Sequence, residues 1–169
     1  GVAAFAAAHE YAEMDDIFAL AESRNESPFI VVCDSLEDPH NLGAILRSAE
    51  AAGVHGVIIP KRNSVTLNYT VAKTSAGAIE YVPVVKVANL PAAIDELKSR
   101  GVWIFGADMD GTDYTALDYS GSIALVIGSE GEGMGRLVSE SCDFMVSIPM
   151  KGHINSLNAS NACAILLYE

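Results

Sequence analysis

The sequence is poor in the features that would anchor a chain in a membrane or cross-link it outside the cell. No apolar run approaches the roughly 20 residues that span a bilayer. The alanine-rich start, residues 1–8, lacks the basic flank and the long apolar core of a secretory signal. Cysteine is scarce, with only Cys33, Cys142 and Cys163, and no CxxC pair. We therefore expect a cytoplasmic protein with buried, reduced thiols and no metal site.

Positive charge is scarce as well. The 169 residues contain 10 Lys and Arg against 22 Asp and Glu, a formal net charge of −12 at pH 7. Taken alone, this balance disfavours a nucleic-acid partner, because binding a polyanion usually needs a basic surface. Such a partner would require a local basic patch, a second subunit or a separate domain. The basic candidates, most of them near predicted strand ends, are Arg47, Lys61, Arg62, Lys73, Arg136 and Lys151.

The pattern that is present indicates one globular domain. Half of the residues are hydrophobic and 19% are charged, and apolar runs alternate with helical patterns. The predicted strands are 29–33, 56–59, 81–87, 102–107, 123–127 and 144–148. The predicted helices are 14–23, 43–52, 67–76, 89–100, 136–141 and 157–168.

This alternation predicts an α/β fold with a mostly parallel sheet and helices on both faces. Ligands in such folds bind beyond the carboxyl ends of the strands. Residues 1–28 are acidic and end in Ser27-Pro28. We predict that they form a linker or N-terminal extension, followed by a domain over residues 29–169.

The first segment that suggests chemistry runs from Asp38 to Arg47 and follows the first predicted strand. Asn41 is placed as the cap of a helix, and Arg47 falls on its first turns. A helix N-terminus beside a guanidinium is a good anion site. An ordinary cap followed by a surface arginine is the alternative interpretation.

The second segment is a glycine-rich run, residues 128–136, directly after a buried strand. Its four glycines would let a ligand approach the backbone closely. Neither the GxGxxG dinucleotide fingerprint nor a P-loop fits the spacing. Glu130 and Glu132 would repel a pyrophosphate, whereas they would suit a cationic ligand.

The third segment, residues 148–162, joins a strand end, a loop and a mostly apolar helix. Asn158 and Asn161 are three apart and share a helix face. Amides on a buried helix cost stability unless they are hydrogen-bonded. Capping of the helix by Ser156 would not explain Asn158.

Together the three segments resemble the motifs of the SpoU (TrmH-like) branch of the SPOUT methyltransferases. The matching patterns are N-x-G-x-x-x-R from Asn41, G-S-E-G-x-G from Gly128 and I-P-M-x-G-x-x-x-S-L-N-A-S from Ile148. Their order and spacing are most similar to those of the 23S rRNA guanosine ribose methyltransferases. The resemblance implies a C-terminal deep trefoil knot, an obligate homodimer and S-adenosylmethionine as cofactor. It also implies that the reaction methylates a ribose 2′-hydroxyl in rRNA or tRNA.

The resemblance further implies a set of site residues. Those implied for the cofactor are Gly128, Ile148 and Leu157, with Gly131, Met150 and Ala107. Those implied for catalysis are Arg47, Glu130 and Asn158, with Asn41 and Ser156 in support. Because an arginine guanidinium stays protonated in proteins, it is a poor base. We therefore expect Arg47 to bind the adjacent phosphate and stabilise the reacting oxygen, with Glu130 orienting Arg47 or relaying a proton.

Many relatives carry an RNA-binding domain before this one, and we expect that domain to be missing from this chain. Two other functions remain possible at this stage. One is a non-catalytic module that binds RNA or cofactor on the same fold. The other is a Rossmann-type metabolic enzyme, which the acidic charge favours. That enzyme would need a phosphate-binding glycine loop after the first strand, and residues 34–40 do not form one.

Overall fold

The structure is a computed structural model that describes residues 10–62, 67–129, 132–154 and 157–169. The strands within these residues are β1 Phe29–Cys33, β2 Gly56–Pro60, β3 Val84–Val87, β4 Trp103–Asp113, β5 Ile123–Ile127 and β6 Phe144–Ser147. The α-helices are α1 Met14–Ser23, α2 Pro39–Ala52, α3 Tyr69–Thr74, α4 Leu90–Ser99, α5 Arg136–Ser141 and α6 Ala159–Leu167. Ala78–Glu80 and Tyr114–Ala116 form short 3₁₀ helices. Among the described residues, no helix combines the length and the hydrophobicity needed to cross a membrane.

The described strands form one sheet in the order β3-β2-β1-β5-β4-β6, and every pairing in it is parallel. Successive side chains of a strand point to opposite faces, so each face has its own core. Val31 and Cys33 pack in a cluster with residues of α2, α3 and α6. Ile30 and Val32 pack in a second cluster with residues of α1, α4 and α5. This arrangement confirms the predicted α/β fold with helices on both faces.

The segment predicted as a linker contributes to the second cluster. Ile17 and Ala21 of α1 are buried, and Ile17 sits so close to β2 that a Cβ added at Gly56 would lie 2.3 Å from it. Ala12 forms a parallel bridge with Val85 of the edge strand. The described part of this segment therefore packs as part of the domain. The trefoil knot stays a prediction.

Helix α2 begins four residues earlier than predicted. Asp38 is its N-cap and accepts a hydrogen bond from the His40 N–H at 2.8 Å, and Pro39 occupies the first turn. The prediction that Asn41 caps the helix is therefore wrong, because Asn41 already lies inside the first turn. Arg47 lies in the middle of this 14-residue helix rather than on its first turns.

Strand β4 extends beyond its predicted end because it leaves the sheet and returns. Ala107 and Thr112 both pair with Val146 of β6, so the four residues between them, 108–111, stand outside the ladder. We call residues 108–111 the β4 excursion. A Cβ added at Gly111 would lie 2.7 Å from the backbone of β6, and the Ser147 hydroxyl donates to the Gly111 carbonyl at 2.9 Å. The excursion is thus tied down where it rejoins the sheet.

Candidate active site

A cavity of about 670 Å³ opens at the carboxyl ends of β4, β5 and β6. Its size falls in the usual range for small-molecule sites. Five of the six residues predicted to bind a cofactor line it, namely Ala107, Gly128, Ile148, Met150 and Leu157. The sixth, Gly131, lies outside the described residues. The fold thus brings to one place residues that are far apart in the sequence, and their contact with a cofactor stays a prediction.

The cavity combines apolar walls with negative charge. Apolar side chains from β5, β6 and α6 form much of the wall, including Ile127, Val146 and Leu166. Its charged side chains come from the β4 excursion and the glycine-rich run, and they are Asp108, Asp110 and Glu132. The described lining contains no Lys, Arg or His. Because a cleft lined by one sign of charge attracts the opposite sign, this cavity favours a cationic ligand, as the glutamates of the sequence indicated.

Ser129 and Gly133 of the glycine loop, which we define as residues 128–135, are joined by two backbone hydrogen bonds beside the cavity. The Ser129 N–H donates to the Gly133 carbonyl at 3.2 Å, and the Gly133 N–H donates to the Ser129 carbonyl at 2.9 Å. Gly133 has a φ of +70°, in the left-handed region that favours glycine. A Cβ added at Gly128 would lie 2.3 Å from the Gly133 carbonyl carbon and 2.4 Å from the Met134 nitrogen. Gly128 is therefore required for the closure of the loop itself, whatever a ligand needs.

Within the described residues, Arg47, Asn41 and Asn158 are not among the residues that line this cavity. Arg47 is exposed on α2. Glu130 and Ser156 lie outside the described residues.

Asn158 has a structural role that the sequence analysis missed. It is the N-cap of α6, its Oδ1 accepts from the Ser160 N–H at 3.0 Å, and the Ser160 hydroxyl donates to the same oxygen. Its neighbours Leu157 and Ala159 line the cavity. The expectation of amides on a buried helix is wrong, since Asn158 and Asn161 are both exposed.

The three thiols are free. Cys33 and Cys163 are buried, as expected, and Cys142 is half-buried. Burial raises the pKa of Cys163 to about 12 and that of Cys142 to about 11. It also raises the pKa of Cys33, with a further contribution from Asp34. These thiols are protonated at neutral pH and therefore unsuited to nucleophilic chemistry.

The cations at the carboxyl edge of the sheet are mostly unpaired among the described residues, although Arg136 there lies 3.5 Å from Glu140 Oε1. Lys98 and Arg100 lie near the amino edge and pair with acids, since Lys98 Nζ is 3.6 Å from Asp143 Oδ1 and Arg100 Nη2 is 2.6 Å from Asp15 Oδ1. Lys61, Arg62 and Lys151 follow the carboxyl ends of β2 and β6, and Arg47 and Lys73 lie on the helices beside them. These five cations are all exposed, and none has an ion pair within the described part of the chain. Exposed, unpaired cations are available to an anionic partner.

Known proteins match this fold and these motifs. The chain fits the model of the SpoU rRNA Methylase family over residues 28–168. It is 54% identical over 170 residues to YacO of Bacillus subtilis, a protein assigned to the TrmH family of tRNA/rRNA methyltransferases. It is 55% identical to a TrmH family relative from Staphylococcus aureus. Each alignment covers the whole chain and 68% of the relative.

Solved structures of SpoU and TrmH enzymes also match this fold. The SpoU methyltransferase AviRb from Streptomyces viridochromogenes, crystallised with AdoMet, superposes with a TM-score of 0.83 at 30% identity and covers 94% of this chain and 60% of its own. A TrmH/SpoU tRNA modifying enzyme from A. aeolicus superposes with a TM-score of 0.76 at 28% identity, covering 91% and 80%. The chain therefore belongs to the SpoU rRNA methylase family of TrmH-type methyltransferases.

Proposed function

We propose that this chain transfers the methyl group of S-adenosylmethionine to a ribose 2′-hydroxyl of rRNA or tRNA. The observation that carries the proposal is the cavity at the ends of β4, β5 and β6, whose described lining combines apolar walls with acidic side chains and no basic ones. S-adenosylmethionine joins an adenosine to a sulfonium and to the ammonium and carboxylate of an amino acid, so its net charge is positive. The apolar walls suit the adenosine, and the carboxylates suit the two cations. A dinucleotide would find no cation in the described lining for its phosphates.

When bound, S-adenosylmethionine would supply the electrophilic methyl carbon of its sulfonium, with the thioether S-adenosylhomocysteine as the leaving group. The residues of this chain would have to orient the ribose hydroxyl and take up its proton. We assign to Arg47 the binding of the neighbouring phosphate and the stabilisation of the reacting oxygen. Glu130 orients Arg47 or relays the proton. Asn158, supported by Asn41 and Ser156, helps to position the ribose.

A homodimer accommodates the position of Arg47, which is exposed on α2 and does not line the cavity of its own chain. In a dimer, Arg47 of one copy can face the cavity of the other. Mixing Arg47→Ala subunits with Gly128→Ala subunits tests this arrangement. If Arg47 acts across the interface, each mixed dimer keeps one intact site and about half of the wild-type activity. If Arg47 acts within its own chain, the mixed dimers are no more active than the parents, both being assayed at a cofactor concentration too low to saturate Gly128→Ala.

RNA would approach the carboxyl edge of the sheet, where the unpaired cations lie. They supply a local basic surface on a chain whose net charge is −12. The remaining contacts fall to the second subunit or to a separate RNA-binding domain of the full-length protein. We place the protein in the cytoplasm, where its three free thiols stay reduced.

Methylation mapping tests the function directly. RNA from cells with and without the gene is compared for 2′-O-methyl sites, and we expect one rRNA or tRNA site to disappear when the gene is removed. In parallel, S-adenosylmethionine should raise the melting temperature of the full-length protein and NAD should not. An unchanged set of sites, together with no shift by S-adenosylmethionine, would overturn the proposal.

A further inference from the structure

Asp34 is a buried carboxylate with no role in the motifs. It follows β1 directly and is 7% exposed. Burying a charge is costly unless hydrogen bonds compensate for it. The other two buried polar side chains of the described residues lie away from the cavity lining. His55 accepts from the Phe29 N–H at the start of β1, and its Nε2 lies 3.0 Å from Glu26 Oε1. The Ser75 hydroxyl donates to the Ala72 carbonyl of the preceding helix.

The hydrogen bonds of Asp34 reach from the end of β1 to the glycine loop, which follows the neighbouring strand β5. Its Oδ2 accepts from the Gly135 N–H at 2.7 Å, across 101 residues of sequence, and its Oδ1 accepts from the Ser35 hydroxyl at 3.1 Å. Its own N–H donates to the Ile127 carbonyl at 2.8 Å, immediately before the loop begins at Gly128. Asp34 thus holds both ends of the glycine loop, one through its backbone and the other through its carboxylate.

The loop that Asp34 holds forms one side of the cavity. Gly128, Ser129, Glu132, Gly133 and Met134 line the cavity, and Asp34 does not. Gly135 is the N-cap of α5 and has no side-chain cap of its own. The Asp34 carboxylate supplies the acceptor from outside the helix, where a negative charge is favourable.

We propose that Asp34 is a positioning residue that sets the shape of the cofactor cavity by holding the far end of the glycine loop at Gly135. The inference rests on the proposed function for the identity of the ligand. Without the carboxylate, the Gly135 N–H loses its acceptor. Among the described residues, the loop then has no hydrogen bond to a side chain from outside the loop. The cavity wall then samples positions that do not fit the ligand.

The test compares three variants of Asp34 with one control in the full-length protein. Asp34→Ala removes the tether, and a hydrogen bond to a charged group is strong enough for its loss to raise the KM and Kd for S-adenosylmethionine about tenfold. We expect kcat at saturating cofactor to fall by less than KM rises. Asp34→Asn keeps an oxygen that can accept from Gly135, so its KM should stay within about threefold of wild type. If Asp34→Ala does not fold, Asp34→Ser replaces it, because the serine hydroxyl stops one bond short of Oδ2.

Asp143→Ala is the matched control. The Asp143 carboxylate also accepts a backbone N–H, that of Ile104 at 2.8 Å, but it lies at the amino edge of the sheet, away from the cavity. This variant should lower the melting temperature and leave the KM for S-adenosylmethionine unchanged. The inference is overturned if wild type binds S-adenosylmethionine and the tether variant binds it equally well. It is also overturned if Asp143→Ala weakens binding as much as Asp34→Ala does. Failure of wild type itself to bind the cofactor would instead refute the proposed function.

Discussion

Replacing Gly128 by alanine adds a single methyl group at the most crowded of the described glycines of the loop. The new Cβ would lie 2.3 Å from the Gly133 carbonyl carbon, whereas ordinary contact begins at 3.4 Å. The opposing backbone must therefore retreat by about 1.1 Å, the difference of these two distances. Neither neighbour is a flexible side chain that could turn aside. Overpacking of this kind typically costs about 1–3 kcal/mol of folding free energy.

The displaced backbone belongs to the cavity wall, so the effect should exceed a loss of stability. A misplacement of about 1 Å can cost about 100-fold in activity. We expect Gly128→Ala to weaken S-adenosylmethionine binding by 10- to 100-fold, as measured by titration calorimetry on the full-length protein.

Gly56→Ala is the control for this experiment. Its Cβ would lie equally close, 2.3 Å, to the Ile17 side chain, but at the amino ends of the strands, opposite the cavity. It should lower the melting temperature and leave cofactor binding within about twofold of wild type. A folded Gly128→Ala protein with wild-type affinity would refute the reasoning.

Three other outcomes are expected. Arg47→Ala should lower kcat and kcat/KM together by about 10²- to 10³-fold and leave cofactor affinity unchanged. Arg47→Lys should restore little activity, because an ammonium group cannot bind two oxygens at once as the planar guanidinium does. A normal single-turnover rate for Arg47→Ala would remove this residue from the mechanism. Light scattering of the full-length protein at micromolar concentration should give the mass of a dimer, and a stable monomer would contradict it. Folding stability should decline as the pH rises from about 9 towards 12, because unfolding returns the Cys163 pKa from about 12 to its ordinary 9.0 and so releases a proton. Denaturant midpoints across this range should fall less steeply in Cys163→Ala, and equal slopes would exclude the thiol as a cause.

The strands and most helices could be predicted from the sequence because their signals are local. Continuous apolar runs bounded by turn residues marked β1, β2 and β5 to within one residue. Helix α2 starts four residues before its predicted start because Asp38-Pro39, a strong start signal, lies ahead of the apolar helical pattern. The polar end of β4 could not be predicted, because its pairing with Val146 depends on a partner strand more than 30 residues away.

The candidate site was predictable only where a motif contained it. Glycines and glutamates after β5 indicated a cationic ligand, and the structure places Gly128 and Glu132 in an acidic cavity. Asp108 and Asp110 carried no signal, because an exposed acidic pair in a polar run is indistinguishable from an ordinary loop. The contact of Asp34 with Gly135 spans 101 residues, and no local pattern reports it.

Val146 pairs with both Ala107 and Thr112, so residues 108–110, which lie between these two, line the cavity without taking part in the pairing of β4 with β6. Since β4 leaves the ladder and rejoins it opposite the same residue, we expect that residues 108–110 can be lengthened or shortened without shifting the register on either side. Gly111 must stay, because β6 leaves no space for a side chain there. The fold therefore offers a short exchangeable segment for tuning ligand preference in engineered variants at little cost to the sheet.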